Sequence, residues 1–220
     1  MKTSASYRLA GISGIIMYIL VLLEIALYFV YTPTASNTPP HSVIVARIFV
    51  DMFLCIGLIG FFSGFRDIIS RDHPGYGWLG NVMFGCGLTF AIVALVADSI
   101  QIGSVWAIAG KDADPTWVGF GAEGSLLIYG PINRLLNMVV LLAGSTLIIK
   151  TGLCSKWIGW TGFAVALYQF CFILTIFYMT TPLDFYSVNG WNIPIAAGLF
   201  FLWILIVSIS ILRKMAKRSV

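Results

Sequence analysis

The chain has 220 residues, of which 59% are hydrophobic and only 10% charged. A soluble domain carries about 25% charged residues, so this composition excludes a water-exposed enzyme domain and points to a chain dissolved in lipid. The net charge of +4 does not argue for nucleic acid as a partner, because the basic residues cluster at the ends of apolar segments.

Six apolar stretches follow one another: Leu9–Tyr31, Ser42–Phe65, Gly77–Ile102, Glu123–Ile149, Trp157–Met179 and Ile193–Leu212. Each is long enough to cross a hydrocarbon core of ~30 Å at ~1.5 Å per helical residue. The first is longer than a signal-peptide core of about 7–15 residues, so it is expected to stay as a span. The expected architecture is all-α: one polytopic integral membrane domain of six transmembrane helices with short loops.

Lys2 and Arg8 precede span one, and Arg66 and Arg71 link spans two and three. Lys150 and Lys156 link spans four and five, while Arg213, Lys214, Lys217 and Arg218 form the tail. The opposite loops hold only Lys111, and Arg47 and Arg134 are embedded. This asymmetry predicts that both termini are cytoplasmic in a cell membrane. Trp106, Trp117 and Trp191 on one side, and Trp78, Trp157 and Trp160 on the other, read as interfacial anchors. Cys55, Cys86, Cys154 and Cys171 lie within spans or on the cytoplasmic side, which predicts free thiols.

The connection Tyr31–His41 is Pro-rich, and Gly103–Ala122 is the longer loop on the same side. Pro131 follows Gly130 in span four; the span is either kinked there or begins there with Pro in its first turn. The two hairpins joined by Arg66–Trp78 and Lys150–Trp157 look alike. They are either a repeat or the shared grammar of an interfacial Trp followed by a packing Gly. Ala10 with Gly14, Gly60 with Gly64, Gly80 with Gly85 and Ala196 with Gly198 mark places where helices can approach closely.

A polar set is embedded in the spans: Glu24, Arg47, Asp51, Asp98, Gln101, Glu123, Arg134, Asn137 and Gln169. An ionisable group at membrane depth costs roughly 2.5–3.5 kcal/mol on insertion scales, so it needs a partner and marks a site. Counting up from the cytoplasmic anchors puts these groups ~20–30 Å along their helices, in one outer slab. Arg47 and Asp51 are spaced i, i+4, while Asp98–Gln101 and Arg134–Asn137 are spaced i, i+3, so each pair shares a helix face. The expected site is an outward-facing pocket lined by Glu24, Arg47, Asp51, Asp98, Gln101, Arg134, Asn137 and Gln169, with Trp106 at its mouth. Glu24, Asp51 and Asp98 outnumber Arg47 and Arg134 by one, and that surplus calls for a proton, a cation or the amine of a ligand. Equally, two Arg–carboxylate pairs could fix helix register and bind nothing.

His41 and His73 are the only histidines and lie on opposite sides, which excludes a two-His haem site, an HExxH zinc site and a His-bridged triad. There is no phosphate-binding glycine loop. No metal and no cofactor is expected.

The segments Tyr7-Arg8-Leu9-Ala10-Gly11 and Lys156-Trp157-Ile158-Gly159-Trp160-Thr161-Gly162 resemble those of the DUF4386 family, small six-helix bacterial membrane proteins of unknown function. Members often open on Arg-x-Ala-Gly and enter a late span through Trp-Leu-Gly-Trp; here Ile158 stands in place of the Leu. The resemblance implies a bacterial origin and no chemistry.

Three functions compete. The first is a solute-binding or transport component that takes a small charged or zwitterionic ligand from the extracytoplasmic side, by analogy with the membrane subunits of vitamin transporters. The second is a structural or regulatory subunit whose charges meet a partner membrane subunit. The third is an intramembrane enzyme on a lipid or quinone-like substrate, with Glu24 or Asp98 as general base. The sequence leans away from catalysis. Membrane lipids are partners in every case.

Overall fold

A computed structural model describes residues 2–29, 41–107, 127–177, 185–186 and 192–218. Glu123, Lys111, Trp117, Trp191 and the loop at 31–40 lie outside the described residues, as do the first residues expected for span four and the last for span five. The described residues are helical almost throughout. In chain order they form α1 (Lys2–Phe29), α2 (His41–Asp72), α3 (Gly77–Ala107), α4 (Asn133–Thr151), α5 (Lys156–Ile173) and α6 (Asn192–Arg218). All six coincide with segments long and apolar enough to cross a membrane.

Several helices run past the apolar limits read from the sequence. α1 begins at Lys2, and α2 continues through Asp72. A helix satisfies its own backbone hydrogen bonds in water or lipid, so leaving the apolar zone does not end it. The last turns of α2 also carry an i, i+4 ion pair, Arg71 Nε to Asp67 at 3.0 Å. What ends a helix is local chemistry. Pro74 opens the one-turn 3-10 helix Pro74–Tyr76 between α2 and α3. α4 stops at Gly152, whose backbone is left-handed (φ 61°) and whose N–H bonds to the Ile148 carbonyl at 3.1 Å. A side chain at that position would be strained, which is why glycine is favoured there.

Each helix packs on its neighbours in sequence, and α6 returns to α1, closing a ring. Phe61, Phe62, Phe65, Phe200, Met17, Leu58 and Met83 fill its centre. The outward faces stay apolar: on α1, Leu9, Ile12, Ile16, Ile19 and Leu23 form one exposed stripe at helical spacing. α1 and α2 touch backbone to backbone, since a Cβ added at Gly64 would lie 2.6 Å from the Ala10 nitrogen. Ser13 covers Gly60, and Ser208 covers Gly14. Gly85 and Gly198 face open space, so those two expected contacts are not made.

The start of α1, the end of α6 and both short connections lie at one end of the ring. The Tyr7 hydroxyl donates to Asp72 at 2.7 Å, Ser6 bonds to Asp67, and Lys214 Nζ donates to the Gly152 carbonyl at 2.9 Å. Arg8, Arg66, Arg71, Lys150, Lys156, Arg213 and Lys217 share this end, called the basic end below. Cys55, Cys86, Cys154 and Cys171 are free thiols.

Candidate functional site

The polar residues embedded in the spans form two groups away from the basic end, set by which helices carry them. On the α1–α3 side, Glu24, Arg47, Asp51 and Asp98 come together from three helices. The Glu24 and Asp51 carboxyls face each other within hydrogen-bonding reach, and Arg47 and Asp98 lie within electrostatic reach of both. Asp98 is 3% exposed. Its Oδ1 accepts from the Tyr129 hydroxyl, while its Oδ2 is buried and has no hydrogen-bond partner. Gln101, one turn further along α3, is buried on the same side. Trp106, near the end of α3, is 72% exposed.

The second group belongs to the α4–α6 side and is built on Arg134, which is 2% exposed. Its Nη1 donates to the Phe172 carbonyl at 2.6 Å and to Thr175 Oγ1 at 2.9 Å. Its Nη2 donates to Asn192 Oδ1, and the guanidinium lies 5.8 Å from the centre of the Phe172 ring. Asn192 is fixed in turn by donating to the Phe185 carbonyl. Among the described residues the hydrogen-bond partners of Arg134 are all neutral, and its Nε is buried without one. The charge is solvated by oriented dipoles and a ring face in place of a carboxylate. Gln169, fully buried, donates to the Ala196 carbonyl at 2.9 Å, and its Oε1 has no partner. Asn133 and Asn137 are buried on α4 with their Oδ1 atoms likewise unsatisfied.

A break in the helix entering α4 separates the two groups. Ile128–Ile132 form a π-helical turn in which Gly130 leaves helical geometry (φ −85°, ψ −108°), and Pro131 follows it. The two readings of Pro131 therefore merge: a helical turn precedes it, and the regular helix starts after it. Tyr129 lies on one side of this break and reaches Asp98; Arg134 lies on the other and reaches α5 and α6.

The sequence reading named the charged residues of both groups but joined them into one pocket. It missed Tyr129, Thr175 and Asn192. Nothing in the sequence aims Tyr129 at Asp98. Thr175 and Asn192 are single polar residues near helix ends, where polarity is ordinary. Among the described residues, no three His, Cys, Asp or Glu side chains are arranged to hold a metal ion. No family model, curated protein or solved structure matches the chain.

Proposed function

We propose that this protein is a multi-pass membrane component, cytoplasmic at both termini, that binds or transports a small solute bearing a cationic group from the extracytoplasmic side. The observation that carries the proposal is the convergence of Glu24, Asp51 and Asp98 on a single Arg47, three carboxyls from three helices. The buried, unpartnered Asp98 Oδ2 adds an acceptor with nothing to accept. Groups of this kind inside an apolar ring are expensive unless something binds there.

Membrane insertion is supported by the apolar outward faces, which in water would make a patch far larger than a soluble monomer exposes. Orientation is supported by the basic end. A reporter fused after Val220 is expected to be active in the cytoplasm, and a cysteine at Ser36 to react with an impermeant reagent from outside. Labelling of that cysteine only after lysis reverses the orientation.

Binding is tested on purified full-length chain in detergent by thermal shift against primary amines, amino acids and monovalent cations. A stabilising compound at 100 times its Kd adds about 2.7 kcal/mol. Such a compound is expected to raise the Tm of the unaltered chain and to lose that effect in Asp98→Asn, which keeps volume but removes the charge. Equal shifts in both proteins overturn the cluster as the site.

The geometry of Arg134 favours a structural role for that residue. Its Nη donors are taken by Phe172, Thr175 and Asn192, and only the buried Nε is left without a partner, so it offers an anionic ligand group no two-pronged contact. The zwitterionic reading therefore narrows to its cationic half.

A further inference from the structure

The three helices α4, α5 and α6 contain no Asp or Glu at all, yet carry Lys150, Lys156, Arg213, Lys214 and Lys217 at the basic end. The acids of that end, Asp67 and Asp72, belong to α2, which packs between α1 and α3, and they are engaged by Ser6, Arg71 and Tyr7. Charge is thus unbalanced on one side of the ring.

On that side a groove of about 350 Å³ runs between the start of α5 and the end of α6. Ser155, Ser210 and Arg213 line its polar part, and Trp157, Ile206 and Ile209 its apolar part. Arg213 is exposed, and Ser155, at the N-cap of α5, makes no side-chain capping bond. The groove adds no negative charge of its own. Cys154, hydrogen-bonded to Ser210, is buried, and burial pushes its thiol up from the ordinary value, so it stays neutral. Lys214, bonded to the Gly152 carbonyl, ties the end of α6 to the connection before α5 and holds the two walls together.

We propose that this groove seats an anionic phospholipid, its phosphate between Arg213 and the Ser155 and Ser210 hydroxyls and an acyl chain along Trp157, Ile206 and Ile209. The proposal rests on the membrane reading above and is independent of the acidic cluster. Polar and cationic groups at the headgroup level with apolar walls below are what such a lipid requires, and a zwitterionic lipid would leave the cationic surplus unanswered.

Native mass spectrometry of the full chain released from detergent tests this. Phosphatidylglycerol and phosphatidylcholine of identical acyl chains serve as probes, with inorganic phosphate as competitor. The unaltered chain is expected to retain phosphatidylglycerol preferentially. One basic residue near an anionic headgroup corresponds to about fivefold in retention, so Arg213→Gln should lower it by about that factor. Ile209→Trp fills the groove without touching charge and should lower retention too, so the test does not depend on one variant folding. Arg8→Gln, at the same end on α1, should leave retention unchanged. Equal loss in Arg8→Gln and Arg213→Gln means diffuse attraction to a basic surface and overturns the site. Displacement by inorganic phosphate at the lipid's own concentration means that phosphate alone is read, which also overturns it. A chain that stays monodisperse with no detergent present removes the membrane premise itself, whatever the lipid selectivity.

Discussion

The α1–α3 and α4–α6 sides both bury charge inside an apolar ring, and they stabilise it by different means. The first holds Glu24, Asp51 and Asp98 against Arg47, with an oxygen of Asp98 left without a donor. The second has no acid in any of its helices and surrounds Arg134 with a carbonyl, a hydroxyl, a side-chain amide and a ring face. Arg134 is tied to fixed neutral dipoles through its Nη atoms, while its Nε is left without a partner. Three acidic side chains share one basic residue on the other side, and on the proposed reading a cationic ligand group completes their balance. Charge balance, and not the count of unsatisfied polar atoms, is what distinguishes the two sides.

That contrast is open to attack by substitution, and the largest effect is expected at Arg134. Arg134→Ala strands three neutral acceptors and empties a buried volume, so it should cost about 2–5 kcal/mol, as large-to-small changes in a packed interior do. Chemical unfolding in mixed micelles measures this. A loss under about 1 kcal/mol would falsify the structural reading of the α4–α6 group.

Asn192→Ala removes one hydrogen bond to that charge and should cost about 1.5–3 kcal/mol in the same assay. Thr175→Val, which keeps shape, should cost less. If Asn192→Ala is neutral, Asn192 does not hold the guanidinium in solution.

Tyr129→Phe comes next, with about 0.5–1.5 kcal/mol for one hydrogen bond. Its stability effect should be modest, while any ligand that stabilises the unaltered chain should bind the variant with changed affinity, because Asp98 loses its donor. Unchanged affinity would detach Tyr129 from the site.

The smallest stability change is expected from Glu24→Gln and Asp51→Asn, below about 1 kcal/mol each, because the amide N–H of either variant can donate to the carboxyl that remains. The pair should be non-additive in a double-mutant cycle. Strict additivity within about 0.3–0.5 kcal/mol would show that the two carboxyls do not meet.

Hydropathy made the six helices legible, since lipid demands long apolar runs and the chain has six of them. It could not mark the true ends of α1 and α2, because a helix that leaves the apolar zone in register continues on its own hydrogen bonds, as α2 does to Asp72. Counting residues gave depth, and depth placed Glu24, Asp98 and Arg134 in one slab. It gave no azimuth. Which way Asp98 or Arg134 points depends on helix rotation and on the order of helices around the ring, and neither is written in composition.

The break at Gly130 acts on that missing azimuth. In an unbroken α-helix each residue turns about 100°, so positions 129 and 134 would stand about 140° apart, an offset fixed by the helix alone. At Gly130 the backbone leaves helical geometry, and that fixed offset is no longer imposed on the residues before it. Tyr129 is aimed at Asp98 while Arg134, five positions on, reaches Phe172, Thr175 and Asn192. The direction of Tyr129 is thus set by one non-helical glycine and not by the phase of α4.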